Sequence, residues 1–216
     1  MRFILSLLLL FCAVASASAQ LKFLALGDSY TIGESVDEEG RWPNQLQKKL
    51  NALGVNVDKP MIIAKTGWRT DELSTAIESA DLTNEFDLIG LLIGVNNQYQ
   101  GKSVESYKPE FEKLLKRAIE LANGDKNRVF VVSIPDYGFT PFGASKKDKI
   151  SKALDDYNQA NRKITEVHGV RYFYITDISR SNDSGLVATD NLHPSAKQYG
   201  LWADLIAADV EFFKSL

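Results

Sequence analysis

One serine, one aspartate and one histidine in this 216-residue chain stand where they could share a reaction. Ser29 follows Gly27-Asp28 directly after an apolar run, and Asp190 precedes His193 by three residues near the other end. A serine hydroxyl is a weak nucleophile until a base takes its proton, and an imidazole is an effective base once a carboxylate fixes its tautomer. The spacing lets Asp190 reach the ring of His193, and the chain order is Ser, Asp, His. The other histidine, His168, stands before Gly169 at the end of a helical pattern. A basic residue suits the helix dipole there, so His168 reads as structural.

Acyl transfer also needs N–H donors aimed at a developing oxyanion. Three candidates are the backbone N–H of Ser29, the backbone N–H of Gly67 in Lys65-Thr66-Gly67-Trp68-Arg69-Thr70, and the side-chain amide of Asn96 in Gly94-Val95-Asn96-Asn97. Taken singly, each motif has a plainer explanation. Gly-Asp-Ser is turn composition, Gly67 a loop glycine before a capped helix, Asn96 a side chain serving nearby backbone, and His193 a loop histidine before Pro194. Taken jointly, three of them follow three successive strand-like runs, and the fourth brings an acid and a base together.

The elements that must position them alternate along the chain. Leu21–Leu26, Met61–Ala64, Leu88–Ile93, Val129–Ile134 and Val170–Ile175 are nearly continuous apolar runs, as expected of strands buried on both faces. Helical spacing of apolar residues covers Trp42–Leu53, Asp71–Ala80 after Thr70 as N-cap, Val104–Leu121, Ser145–Val167 and Ser195–Phe213. This alternation predicts an α/β fold: a three-layer α/β/α sandwich over a five-stranded parallel sheet in the flavodoxin-like order 2-1-3-4-5. Its ligand site is expected outside the carboxyl ends of the strands, where the polar motifs fall.

These blocks resemble the SGNH/GDSL hydrolase family. Gly27-Asp28-Ser29-Tyr30 is similar to its first block, with Tyr30 in place of a frequent Leu. Gly67 matches the second block, Gly94-Val95-Asn96-Asn97 the third with Asn97 replacing the usual Asp, and Asp190 to His193 the last. The resemblance spans residues 20–216 and is nearest to the lysophospholipase/thioesterase-like branch. It implies an esterase with catalytic Ser29, Asp190 and His193, an oxyanion hole of Ser29, Gly67 and Asn96, and no metal or cofactor. The substrate implied is a small-molecule or lipid ester. Carbohydrate O-acetyl esterases share the triad, and an acyltransferase differs only in the second-step acceptor. A non-catalytic binding module on this fold would be expected to lose one of these residues. Trp68, Tyr99, Tyr137, Phe139 and Phe142 fall in loops after strands two, three and four, where they either line an acyl groove or cap the core. Of these, Trp68, Tyr137 and Phe139 are the substrate-binding candidates.

Composition narrows the alternatives. Hydrophobic residues make up 44% and charged residues 25%, with a formal net charge of -3. The basic residues form no stripe of the kind that binds nucleic acid; Lys146, Lys147 and Lys149 read as a solvated helix face. A phosphate-binding loop is absent after strand one, where Asp28 would repel phosphate. Arg2, the apolar stretch Ile4–Val14 and Ala17-Ser18-Ala19 form the pattern of a secretory signal peptide over residues 1–19. Cleavage before Gln20 removes Arg2, taking the charge from -3 to -4, and removes Cys12, the only cysteine. That excludes a thiol nucleophile, a zinc–cysteine site and disulfides. The expectation is one exported domain, periplasmic or extracellular, with no transmembrane segment after cleavage.

Overall fold

The computed structural model describes residues 20–216; the expected signal peptide lies outside them. Strands β1 (Phe23–Gly27), β2 (Met61–Ala64), β3 (Leu88–Leu92), β4 (Val129–Val132) and β5 (Arg171–Phe173) form one sheet in the order β2-β1-β3-β4-β5. All four pairings are parallel, and β1 is held between Ala64 and Leu92 at its last residue, Gly27. The expected fold class and strand order are therefore those of the protein.

The helices are α1 (Ser29–Ile32), α2 (Trp42–Ala52), α3 (Thr70–Ser79), α4 (Val95–Tyr99), α5 (Val104–Leu121), α6 (Lys147–Val167), α7 (Thr176–Ser179), α8 (Ala196–Ala207) and α9 (Val210–Lys214). Helix α2 packs on α8, while α5 packs on α3 and α6. On the α2 face, Trp42 meets Phe23 and Phe130, and Phe130 continues to Phe173, Phe212 and Phe213. Gly90 makes this possible, since a Cβ there would lie 2.7 Å from the Phe130 ring and 2.9 Å from Trp42. On the other face Tyr107 of α5 packs on Tyr157 of α6 and donates to the Ile93 carbonyl at 3.1 Å. β1 and β3 are buried along their whole length, as their apolar runs require. Among the described residues no helix is long and apolar enough to cross a membrane.

Three local expectations change. The last helical stretch divides after Ala207, because Asp209 caps a separate helix by accepting from the Phe212 N–H at 3.2 Å. Residues Ala144–Lys146 form a 3-10 turn, so α6 begins at Lys147. Thr70 is the first helical residue of α3 rather than its N-cap. Arg69 takes the cap position, and its N–H donates to Glu72 at 3.0 Å. Thr70 is unavailable for capping because its N–H bonds to Asn97 and its hydroxyl to Glu110.

Candidate active site

Gly27 ends β1 in a space that admits no side chain. A Cβ there would lie 2.5 Å from the Leu92 carbonyl oxygen and 2.2 Å from Thr31 Oγ1. The glycine thus serves close approach of two strand ends, not an unusual backbone conformation. Asp28 then caps α1, its Oδ1 accepting from the Tyr30 N–H at 3.0 Å. Ser29, 4% exposed, is the first residue of that helix, where backbone N–H groups have no intrahelical acceptor.

The second and third blocks are tied to each other. Gly67 follows β2 with φ +88°, a conformation other residues rarely adopt, and open space lies over its α-carbon. Asn96, in the first turn of α4, donates one amide hydrogen to the Trp68 carbonyl at 2.9 Å. The second amide hydrogen remains for another acceptor. Asn97 is buried. Its Oδ1 accepts from the Thr70 N–H at 3.1 Å, and its Nδ2 donates to Thr70 Oγ1 at 2.7 Å and to Glu110 Oε2 at 3.3 Å. The Thr70 hydroxyl also donates to Glu110. This explains the departure from the usual Asp: an aspartate at this position would set a second carboxylate against Glu110, whereas an amide supplies both the acceptor and the donor the site needs.

The Asp190-x-x-His193 loop closes the arrangement. Asp190 Oδ2 lies 2.6 Å from His193 Nδ1, and Asp190 Oδ1 accepts from the Leu192 and His193 N–H groups, each at 2.9 Å. Ser35 adds a further donor, its hydroxyl reaching Asp190 Oδ2 at 2.7 Å. Burial raises the Asp190 pKa, but the bonds from Ser35, Leu192 and His193 outweigh it and hold the carboxyl well below the usual range. His193 packs edge-on against Tyr30, the residue after the nucleophile candidate.

Ser29, Gly67, Asn96 and His193 line one cavity of about 300 Å³. No hydrogen bond joins Ser29 Oγ to His193 among the described residues; they meet across the cavity. Tyr137 lines it as expected, together with Tyr99, Phe142 and Leu192. Trp68 and Phe139 do not. Trp68 packs against the core and presents its carbonyl to Asn96, while the Phe139 ring sits under the Lys147 ammonium at 3.7 Å. Phe142 reaches the cavity instead because its N–H is bonded to the Asn191 carbonyl at 3.1 Å, which pins its loop to the His193 loop. His168 caps α6 and meets Glu112 at 3.1 Å, away from the site. Among the described residues no group of three or more His, Cys, Asp or Glu side chains is placed to hold a metal ion.

Ser35 is the site residue that the sequence reading misses. It lies in a short connection with φ 64°, unusual for a non-glycine residue, and nothing in its neighbours' pattern announces a contact with Asp190. Its nearness to Ser29 is the available signal, since a segment leaving Ser29 must run along the rim.

A parallel α/β sandwich with a Ser, a Gly, an Asn and an Asp-x-x-His at the carboxyl ends of its strands defines the SGNH class of hydrolase. The model of the GDSL-like Lipase/Acylhydrolase family matches residues 25–201, and the chain belongs to that family of ester hydrolases. No curated protein matches it in sequence. Similar solved structures include the esterase EstA from Pseudoalteromonas sp., in a form inhibited by monoethylphosphonate. It is 17% identical with a TM-score of 0.66, over 91% of this chain and 100% of that one. The lipase/acylhydrolase from Enterococcus faecalis is 14% identical, TM-score 0.69, over 89% and 96%. The SGNH-hydrolase family esterase AlinE4 is 16% identical, TM-score 0.66, over 93% and 99%.

Proposed function

We propose that the protein hydrolyses carboxylic esters through a covalent acyl-enzyme formed on Ser29. The observation that carries this reading is the placement of Ser29, Gly67, Asn96 and the Asp190-bound His193 around one cavity. Because Nδ1 of His193 donates to Asp190, the neutral ring carries its free lone pair on Nε2. That nitrogen takes the Ser29 proton as Oγ attacks the ester carbonyl. The carbonyl π pair moves onto oxygen, where the Ser29 N–H, the Gly67 N–H and the second Asn96 amide hydrogen receive it. Each such donor is worth about 3 kcal/mol of barrier. Collapse expels the alkoxide, which takes the proton from His193. Water then attacks the acyl-enzyme by the same route and releases the acid. Asp190, ionised throughout, stabilises the imidazolium in both steps.

The cavity walls of Tyr99, Tyr137, Phe142 and Leu192 suit acyl groups from short chains to lipid tails. Ser29→Ala is expected to lower hydrolysis of p-nitrophenyl butyrate by at least about 10³-fold with the circular dichroism spectrum and Tm retained. A phosphonate reagent of the kind that inhibits the Pseudoalteromonas esterase is expected to add to Ser29, read by peptide mass. Substantial activity in the purified variant would remove Ser29 as the nucleophile. The reading also includes export: N-terminal sequencing of protein from the producing cell is expected to begin at Gln20.

A further inference from the structure

The catalytic cavity shares a wall with a second, larger cleft. Tyr99, Tyr137 and Phe142 line both, with ring centroids 6.2 to 6.4 Å apart. Tyr99 is 60% and Phe142 51% exposed, large values for aromatic rings. Beyond this wall the cleft encloses about 710 Å³ between the starts of α5 and α6.

The far side is cationic. Lys102, Lys146 and Lys149 line it, and among the described residues none of the three ammonium groups has a carboxylate or ring partner. Neighbouring lysines are engaged: Lys147 covers the Phe139 ring at 3.7 Å, and Lys152 pairs with Asp156 at 3.2 Å. The acids on the cleft are Glu105 and that already paired Asp156. The start of α6 adds to the field. This 21-residue helix starts at the cleft with its positive end, which Asp148 in its first turn partly offsets. A chain of formal net charge -3 has thus gathered unpaired positive charge beside its active site.

We propose that the cleft binds an anionic group of the substrate, carried on the ester substituent that runs past Tyr99, Tyr137 and Phe142. This rests on the proposed esterase reading and deepens it. The lysines expected from sequence to be a solvated face become a specificity element. The ligand chemistry is a carboxylate or a phosphate attached to the ester by a linker long enough to cross the aromatic wall. Exposed ammonium groups hold anions weakly one at a time and lose that hold as salt rises. The effect therefore belongs in kcat/KM at low ionic strength.

The test compares matched esters on purified wild-type protein. The carboxylate arm sets mono-p-nitrophenyl esters of glutaric, adipic and suberic acid against p-nitrophenyl esters of neutral acids of the same length. The phosphate arm sets 1-acyl-glycerol 3-phosphate against 1-acylglycerol. In at least one arm the anionic member is expected to win by about five-fold in kcat/KM, with the advantage fading in 0.5 M salt, about 4 Å of Debye length. The arm that shows it identifies the anion. In Lys146→Gln/Lys149→Gln the anionic-to-neutral ratio is expected to fall to about one, while Lys163→Gln, which makes the same kind of charge change further along α6, leaves the ratio in place. Hydrolysis of neutral esters with no anionic advantage in either arm, or an advantage that survives the double substitution, overturns the proposal and leaves the esterase reading standing. If the wild type hydrolyses no ester at all, the esterase reading fails instead, and binding decides the cleft. Adipate monoethyl ester and glycerol 3-phosphate, titrated into ¹⁵N-labelled protein, are expected to shift the amides of Ser145 to Lys149; absence of shifts with both overturns it.

Discussion

Two aspartates accompany Ser29 at the candidate site, and the fold treats them in opposite ways. Asp28, one residue before Ser29, is fully buried; its Oδ1 receives the Tyr30 N–H, and its Oδ2 has no partner among the described residues. Burial pushes its pKa up to about 7. Asp190 sits on an exposed loop, yet its oxygens receive Ser35, the Leu192 and His193 N–H groups and the His193 ring, and its carboxyl is held low. The difference teaches that burial weighed against donors settles which carboxylate keeps its charge at neutral pH: full burial outweighs the backbone donors at Asp28, while the donors outweigh partial burial at Asp190. Paired carboxylates whose environments drive their pKa values apart have separate roles. In the proposed mechanism Asp190 is the permanent anion for an imidazolium, whereas Asp28 is a helix cap whose charge is tolerated at a cost.

The largest expected effect breaks that division. Asp190→Asn keeps an acceptor for the Leu192 and His193 N–H groups but removes the charge and permits the wrong imidazole tautomer. Ester hydrolysis is expected to fall by about 10³- to 10⁴-fold in kcat, and Tm to fall somewhat, since the lowered carboxyl pKa stabilises the fold at neutral pH. Asp28→Asn keeps the cap acceptor for Tyr30 and is expected to retain most of kcat. Equal losses in the two variants, measured by steady-state kinetics on one ester, would erase the distinction.

Stability against pH sharpens the same comparison from the Asp28 side. Its folded pKa, about 7, lies above its ordinary 3.8. Below pH 3.8 both folded and unfolded chains hold the proton, and no penalty arises. Between there and about 7 the unfolded chain ionises first, so the folded state loses stability as pH rises; above 7 the loss is constant. Asp28→Asn removes this penalty. The variant is expected to be more stable than wild type at pH 8 by up to a few kcal/mol, since each tenfold change in proton affinity is worth about 1.4 kcal/mol. The gap is expected to close towards pH 4. Urea denaturation of both proteins across that range checks it; a gap independent of pH would show that Asp28 carries no such burden.

The sequence exposes the sheet and the polar blocks because their signals are short in range. Val129–Val132 and Leu88–Leu92 read as strands covered on both faces, and Asp190 and His193 sit within one loop. What stays hidden depends on contacts far apart in the chain. Ser35 meets Asp190 across 155 positions, and Asn97 makes sense only once Glu110 is beside it. The aromatic residues show the same limit. Phe139 and Phe142 are near neighbours of identical type, and only the bond from the Phe142 N–H to Asn191 selects which one faces the cavity. The four-residue helices at Ser29 and Thr176 are too short to carry a period.

The smallest expected effect concerns the donor that sets Asp190 apart. Ser35 and His193 share Asp190 Oδ2, at 2.7 and 2.6 Å. Removing the Ser35 hydroxyl raises the Asp190 pKa towards the ordinary range, though the group stays ionised at neutral pH. Its charge is then less dispersed and stabilises the imidazolium more, so the acidic limb of kcat/KM moves to higher pH. The carboxylate is also held less firmly against the His193 ring; one neutral hydrogen bond is worth about 0.5 to 1.5 kcal/mol, and this lost positioning is expected to outweigh the gain and lower kcat two- to ten-fold with little change in KM. Two variants separate the hydroxyl from the backbone. Ser35→Ala loses the bond and keeps a side chain at φ 64°, whereas Ser35→Gly loses the bond and relieves that conformation. Both should shift the limb alike while only the glycine variant holds its Tm. A profile that moves in neither variant would reduce Ser35 to a surface turn and leave His193, two backbone amides and its partial exposure as what sets Asp190 apart from buried Asp28.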